Sequence, residues 1–323
     1  MSTLHRPLIV VSKCIEFDAC RYNGQLIPDG FVRQIKSHVD FIPVCPEVEI
    51  GLGVPRDPIH IVSERGELTL IQPSTGKDLT LKMSRFAASF LDTLPEVDGF
   101  ILKSRSPSCG IKDVKIHEPG EKGRVITAKS AGFFGGEVLN KFPHLAVEDE
   151  GRLTNYRIRE HFLTRIFASA RFRGVKHGNS MGDLVQYHTE NKLLLMSYNQ
   201  KELRVLGRIV ANLTRKPFQE VICEYADHLW RALSQLARYN SNINVLQHAF
   251  GYFSKNLSSK EKSFFLDSLE RYRAERVPLS VPINILKSWI VRFDETYLVQ
   301  QTFFNPYPEE LVTVLDSGKG RSF

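Results

Sequence analysis

No apolar run in the 323 residues approaches the ~18–20 that a helix needs to cross a bilayer. Near the N-terminus, Leu8-Ile9-Val10-Val11 is far shorter than the ~7–15-residue core of a secretory signal. The reading is a cytoplasmic protein with no membrane partner. Internal repeats and low-complexity tracts are missing too. Hydrophobic residues at 42% and charged residues at 24% are ordinary for a globular chain, which excludes disordered, collagen-like and disulfide-dense classes. Cysteine is scarce and odd in number, five in all, in a chain long enough to need no disulfide staples. In a reducing compartment such thiols are free, metal-bound or catalytic. No C-x2-C pair occurs, so a zinc finger or ferredoxin-type ligand run does not fit.

Acidic residues are scarce only in the second half. Residues 1–150 carry 18 Lys and Arg against 20 Asp and Glu, and residues 151–323 carry 25 against 16, so the +7 chain divides into −2 and +9. A basic half suggests a polyanion, nucleic acid first and anionic lipid second, against the bland alternative of a solvated basic surface.

A length of 323 residues favours two domains at roughly 100–200 residues each. The boundary reads near Glu148-Asp149-Glu150-Gly151, giving domains 1–150 and 151–323. In the first, Pro7–Ser12, Asp40–Val44 and Val97–Lys103 predict strands, and His60–Ile71 predicts a hairpin about Glu64-Arg65-Gly66-Glu67. Asp29–Val39, Leu79–Leu94 and Gly135–Leu145 predict helices. That alternation predicts an α/β domain with a largely parallel, Rossmann-like sheet. In the second, Asn155–Arg173, Gly182–Ser197, Lys201–Thr214, Pro217–Tyr239 and Ile243–Leu257 have helical apolar spacing. Ser258 and Glu261 form a capping box, Pro278 and Pro282 bracket a break, and Ile283–Phe293 resumes. This predicts an all-α domain of about seven helices, with a frayed tail at Ser317–Phe323.

The cysteines carry the chemistry. Cys14, Cys45 and Cys109 each follow the carboxyl end of a predicted strand, where open α/β sheets bind ligands. Turn formers flank two of them, in Cys45-Pro46 and Ser106-Pro107-Ser108-Cys109-Gly110. Three thiolates without a nearby histidine suit a soft metal centre, an iron–sulfur cluster first; the alternative is small apolar core cysteines. Cys20 reads as packing, with reserve ligand or resolving thiol as its other roles, and Cys223 reads as core.

Ser12-Lys13-Cys14 through Arg21-Tyr22-Asn23-Gly24, Cys45-Pro46-Glu47, Pro55-Arg56 and Lys103 through Gly110 resemble the thiouracil desulfidase family over residues 6–147. Asn244 through His248, Gly251-Tyr252-Phe253, Val277-Pro278-Leu279 and Gln300 through Pro308 resemble a YbgA-type helical domain. Together they resemble the fused form that removes sulfur from 4-thiouridine in tRNA. The resemblance implies a [4Fe-4S] cluster on Cys14, Cys45 and Cys109, with the fourth iron open to the substrate's sulfur, and it does not include Cys20. It maps the motif acid to Glu47 and the motif serine to Ser106. The sequence departs where Ile50 stands before Gly51 instead of paired glycines.

On this reading Glu47 is the general base for a water attacking the carbon that bears sulfur, in a net hydrolysis without a redox cofactor. Ser106 bonds the ring or relays a proton. Arg21, Lys103 and Ser104 are candidate substrate contacts, the two cations neutralising ring or phosphate charge. For tRNA the candidates are Arg204, Arg208, Arg215, Lys216 and Lys255, the last clustered with Lys260 and Lys262. Tyr239, Tyr252 and Phe253 are candidates for stacking on bases. A base inside folded tRNA must also be extruded, at about a few kcal/mol. The alternatives are a desulfidase for free thiouracil or thionucleosides, a nucleic-acid-binding module with a closed four-ligand structural or redox-sensing metal that includes Cys20, and a metal-free domain. Nothing in the sequence points to an obligate protein partner or sets an oligomeric state.

Overall fold

The computed structural model describes residues 5–120 and 124–312. Two compact units divide it: Met1–Ala170 with Glu310–Phe323, and Arg171–Glu309. The first runs β1 (Leu8–Ser12), α1 (Gly30–Ile35), β2 (Asp40–Val44), α2 (Pro46–Glu49), β3 (His60–Glu64), β4 (Glu67–Gln72), β5 (Lys77–Asp78), α3 (Thr80–Thr93), β6 (Gly99–Leu102), β7 (Val114–His117), β8 (Val125–Ser130), α4 (Phe133–Lys141), β9 (Ala146–Asp149) and most of α5 (Tyr156–Gly178). A four-stranded sheet of order β2-β1-β6-β9 is parallel throughout. Its central strands, Leu-Ile-Val-Val-Ser and Gly-Phe-Ile-Leu, are almost wholly buried, as strands covered on both faces must be. The short unbroken apolar runs made these strands legible.

A second sheet, of order β5-β4-β3-β7-β8, was only half legible. The β3–β4 hairpin forms as expected, turning at Arg65 and Gly66 with φ of 53° and 90°. Strand β7 pairs parallel to β3 and antiparallel to β8. Four residues, Val-Lys-Ile-His, are too short a pattern to stand out from loop.

Helix α5 explains where the units divide. Ser169 Oγ donates to the buried Asp98 at 2.9 Å, and Asp98 also accepts the Leu8 N–H at 2.8 Å. Gly99 sits where a Cβ would lie 3.0 Å from Ile166 and 2.7 Å from the Ala146 carbonyl, so the helix packs tightly on the first sheet. The division at Ala170 therefore comes twenty residues after the composition change. Residues 171–309 hold 19 Lys and Arg against 13 Asp and Glu, so the helical unit carries +6.

The second unit continues with α6 (Met181–Glu190), α7 (Lys192–Tyr198), α8 (Gln200–Ala211), α9 (Phe218–Ala232), α10 (Tyr239–Gly251), α11 (Ser259–Arg273), α12 (Ser280–Phe293) and α13 (Thr296–Val299). With α5 that makes nine α-helices among the described residues after 150, against about seven expected there. The expected helix at Gly182–Ser197 breaks at Asn191, because the C-terminal segment bonds into the break. Gln301 takes the Leu193 N–H at 3.0 Å and donates to the Thr189 carbonyl at 2.8 Å, and Thr302 donates to Asn191 at 2.8 Å. The helix expected through Tyr239 ends at Ala232. Pro282 lies inside α12 in its first turn, where no amide donor is needed, so the break precedes it. The capping box at Ser258 and Glu261 forms as expected. Two expectations are corrected by which residues face the core. Cys223 is exposed on α9 while Val221 and Ile222 point inward. Phe253 is buried in the core with Trp289 and Phe293, so it offers no face to a base. Among the described residues no helix is long and apolar enough to cross a membrane. Ser317–Phe323 lies outside the described residues.

Candidate metal centre

Three strand ends of the parallel sheet deliver the three cysteines. After β1 the chain turns at once, the Ile15 N–H bonding back to Ser12 at 2.9 Å, and Cys14 sits in that turn. After β2, Cys45 is the N-cap of α2, its carbonyl taking the Val48 and Glu49 N–H groups at 3.0 Å each, with Pro46 pre-set for the first helical position. Ile50, the departure from paired glycines, ends this turn with φ of −82°, which any L-residue adopts; Gly51 carries the left-handed φ of 81°. After β6, Ser106 Oγ accepts the Cys109 N–H at 3.1 Å and the Ser108 N–H at 3.3 Å, which curls the loop. That loop rests on the start of α4, whose free N–H groups need acceptors. Phe133 bonds the Pro107 carbonyl at 3.0 Å, Gly135 that of Ser108 at 2.9 Å, and Gly132 that of Gly110 at 2.7 Å. A Cβ on Gly135 would lie 2.4 Å from the Gly110 carbonyl and 2.6 Å from that of Cys109. Only glycine permits this approach.

All three cysteines open on one cavity of about 540 Å³ outside the carboxyl ends of β1, β2 and β6. The buried Cys20 lines it as well. Without metal the thiols are unequal. Burial, then Cys45, pushes Cys14 up to about 12. Burial pushes Cys109 up despite a hydrogen bond with Ser12. Cys45 moves down to about 7, first through its hydrogen bond with Cys20, while that same bond, with burial behind it, pushes Cys20 up. Thiols that raise one another's pKa need a shared cation to ionise together. Among the described residues no three His, Cys, Asp or Glu side chains gather tightly enough for a single metal ion. Three soft thiolate donors opening on one cavity fit a polynuclear iron–sulfur group.

Glu47 enters the cavity from α2 with both oxygens engaged. Arg56 Nε donates to Oε2 at 2.8 Å and Ser108 Oγ to Oε1 at 2.6 Å. Ser106 Oγ lies 2.9 Å from Ser108 Oγ. The structure thus brings Glu47 and Ser106 together through Ser108, to which the sequence reading gave no role. Lys103 and Ser104 also line the cavity, yet both bind Glu150: the Lys103 ammonium pairs with its carboxylate, and Ser104 donates to it from Oγ at 2.6 Å and from N at 2.8 Å. The Lys103 charge is thereby neutralised. Arg21 lies over the Tyr22 ring, 5.2 Å from its centroid, at the cavity wall. Sequence reasoning also missed His60 and His117, stacked at 4.1 Å on neighbouring strands of the second sheet and facing the same cavity. Burial, then His117, pushes the His60 pKa down. Their pairing depends on β7, which left no readable pattern.

Comparison with known proteins follows this geometry. Residues 9–150 match the family model described as 2-thiouracil desulfurase. Over 110 residues the chain is 34% identical to the uncharacterized protein YbbK of Bacillus subtilis (strain 168), covering 73% of that protein and 32% of this one. The chain belongs to the 2-thiouracil desulfurase family. Its desulfurase domain is joined to a second one: residues 192–308 match a family described as a protein of unknown function, DUF1722. Over 148 residues the chain is 30% identical to the uncharacterized protein YbgA of Escherichia coli (strain K12), covering 88% of that protein and 45% of this one. Among solved structures, a "[4Fe-4S]-dependent thiouracil desulfidase TudS" is 28% identical and covered to 93% of its length and 46% of this chain, at a TM-score of 0.35.

In the DUF1722 domain the basic candidates are all exposed. Arg204 and Arg208 lie one turn apart on α8, opposite the buried Leu203, Leu206 and Ile209. Arg215 and Lys216 follow α8, where Lys216 pairs with Glu224 at 2.7 Å. Lys255 follows α10. Tyr239 is half-buried against Tyr272, whereas Tyr252 is exposed and stacks on Tyr297 at 5.7 Å.

Proposed function

We propose that this protein is a [4Fe-4S]-dependent desulfidase that hydrolyses 4-thiouridine in tRNA to uridine and sulfide. One observation carries the reading: thiols from three separate strand ends share one cavity with a carboxylate held by an arginine and a serine. Membership of the 2-thiouracil desulfurase family supplies the reaction class.

Cys14, Cys45 and Cys109 would hold the cluster. A cluster of four irons on three thiolates supplies an open, thiophilic Lewis acid for a thiocarbonyl sulfur. The chain's own groups do the rest. Ser106 Oγ already accepts two backbone N–H groups, so its proton is free to point at Ser108 Oγ, and the Ser108 proton points at Glu47. The row Ser106–Ser108–Glu47 is a directed path for the proton of a water attacking the ring carbon. Arg56 holds the far oxygen of Glu47, so the carboxylate stays aimed at Ser108. Water supplies the oxygen, sulfur departs as hydrosulfide, and no electrons are exchanged.

The DUF1722 domain argues for the larger substrate. A free base needs no second domain, whereas exposed Arg204, Arg208, Arg215 and Lys255 on a +6 unit suit phosphates. Tyr252 offers an exposed ring for stacking. The test is anaerobic. The full chain is reconstituted with iron and sulfide and mixed with 4-thiouridine-bearing tRNA, with loss of the thiolated base's near-ultraviolet absorbance and release of sulfide followed together. Turnover by the wild type and none by Cys109→Ala is the expected result. Turnover of free 4-thiouracil but not tRNA would overturn the tRNA part, and inertness of a fully loaded protein toward both would overturn the desulfidase reading.

A further inference from the structure

The guanidinium of Arg56 is almost completely enclosed, 4% exposed, where residues 20–22, 45–47 and 53–56 meet. Nε donates to Glu47 Oε2 at 2.8 Å. Nη1 donates to the Cys20 carbonyl at 3.1 Å and to the Gly53 carbonyl at 2.8 Å. Nη2 lies 3.8 Å from Cys45 Sγ, within hydrogen-bond reach of sulfur. The Arg56 backbone N–H is anchored on the Tyr22 carbonyl at 2.8 Å. Four of the five guanidinium N–H groups thus have protein acceptors, and one side chain touches both the carboxylate of the proposed base and the sulfur of a proposed ligand.

We propose that Arg56 is a positioning residue for two groups at once: it aims Glu47 at Ser108 and it makes the Cys45 sulfur electronically different from those of Cys14 and Cys109. The inference rests on the cluster reading above and concerns this chain's own residues. A permanent cation beside one thiolate withdraws electron density from it and offsets one of the negative charges gathered at the cavity. Around Cys14 and Cys109 no such cation donates to sulfur among the described hydrogen bonds; Lys103, whose charge reaches Cys14, is bound to Glu150. Lysine cannot replace Arg56, because one ammonium has no planar fork to reach Glu47, Cys45 and two carbonyls together.

The test compares full-length wild type, Arg56→Gln and Arg56→Lys after anaerobic reconstitution. Iron and sulfide content and far-ultraviolet circular dichroism establish equal loading and folding. The first readout is the midpoint potential of the bound cluster, from a titration followed by electron paramagnetic resonance, which needs no substrate. Hydrogen bonds and positive charge at a ligand sulfur raise that potential, so Arg56→Gln shifts it to more negative values while Arg56→Lys keeps most of the wild-type value. The second readout is kinetic. Both variants lose 10–100-fold in kcat on thiolated tRNA, the usual cost of removing such a supporting contact, with KM within about threefold. A wild-type potential in Arg56→Gln at equal iron content overturns the proposal, as does a wild-type kcat in Arg56→Lys. Should Arg56→Gln fail to fold, Arg56→Lys decides through its kcat and its retained potential. A wild type that loads its cluster but leaves thiolated RNA intact overturns the functional reading alone, and the potentials still decide on Arg56. A wild type that takes up no iron overturns both.

Discussion

Ser106 and Ser108 share one loop and one row of hydrogen bonds, yet they do different work. Ser108, with no solvent exposure, meets Glu47 and Ser106 through its hydroxyl. Ser106 also accepts the Cys109 N–H and so shapes the loop that carries the cysteine. Ser108→Ala is therefore expected to keep its iron and lose ~10²-fold in kcat, the lower end for losing a proton-transfer group. Ser106→Ala is expected to lose kcat and iron together. Iron analysis beside single-turnover kinetics separates the two; equal iron loss in both would refute the division of roles. Glu47 and Ser106 were legible only through resemblance to a family's motifs. Ser108 and Arg56 stood only as motif residues without a role, because their roles lie in partners 61 and 9 residues away, which no local pattern announces.

Among elements, the start of α4 matters most to the site. Its first amides hold the carbonyls of the Cys109 loop, and Gly132 and Gly135 let the two backbones meet. The obstacle to a Cβ at Gly135 is backbone on both sides, which cannot swing away as a flexible side chain would. Gly135→Ala is expected to cost about 1–3 kcal/mol, the range for overpacking, and to lower iron retention by displacing Cys109. Urea unfolding and iron content measure the two effects; a fully loaded, wild-type-stable variant would show that the loop is not held this way. Helix α4 was expected from Gly135, two residues late, because Gly-Phe-Phe-Gly-Gly lacks a side-chain cap. Its cap is a loop elsewhere in the chain.

Across the molecule, each unit holds a histidine that acid would have to charge, His161 buried and His188 half-buried. In the first, burial and then Arg165 push His161 down to about 3. In the second, burial and then Lys192 push His188 down to about 4, and its ring lies 3.1 Å from Tyr225 Oη. Unfolded histidine titrates near 6.5, so below that pH the unfolded chain binds protons that the folded units refuse. Stability is present above about pH 6.5 and is lost as pH falls through that value. Between pH 7 and 5 each histidine is expected to cost its unit about 2 kcal/mol. Both tryptophans, Trp230 and Trp289, lie in the second unit, so their fluorescence in urea follows His188, and amide hydrogen exchange follows His161. His188→Gln and His161→Gln should each flatten the pH dependence of their own unit alone. An unchanged slope in either variant would assign the acid sensitivity to other groups.

Local pattern by itself determined the apolar strands β1, β2 and β6, the β3–β4 turn, the capping box of α11 and the placing of Cys14, Cys45 and Cys109 just past strand ends. These depend on residues within a few positions of one another, where periodicity and turn chemistry are written directly in the chain. Tertiary structure decided the convergence of three loops on one cavity, the partners of Arg56 and Ser108, the break at Asn191, the attachment of α5 to the first sheet and the outward turn of Cys223. Each of these is set by what lies across a packed interface, and a buried donor or carbonyl must find its acceptor or donor wherever the fold brings one.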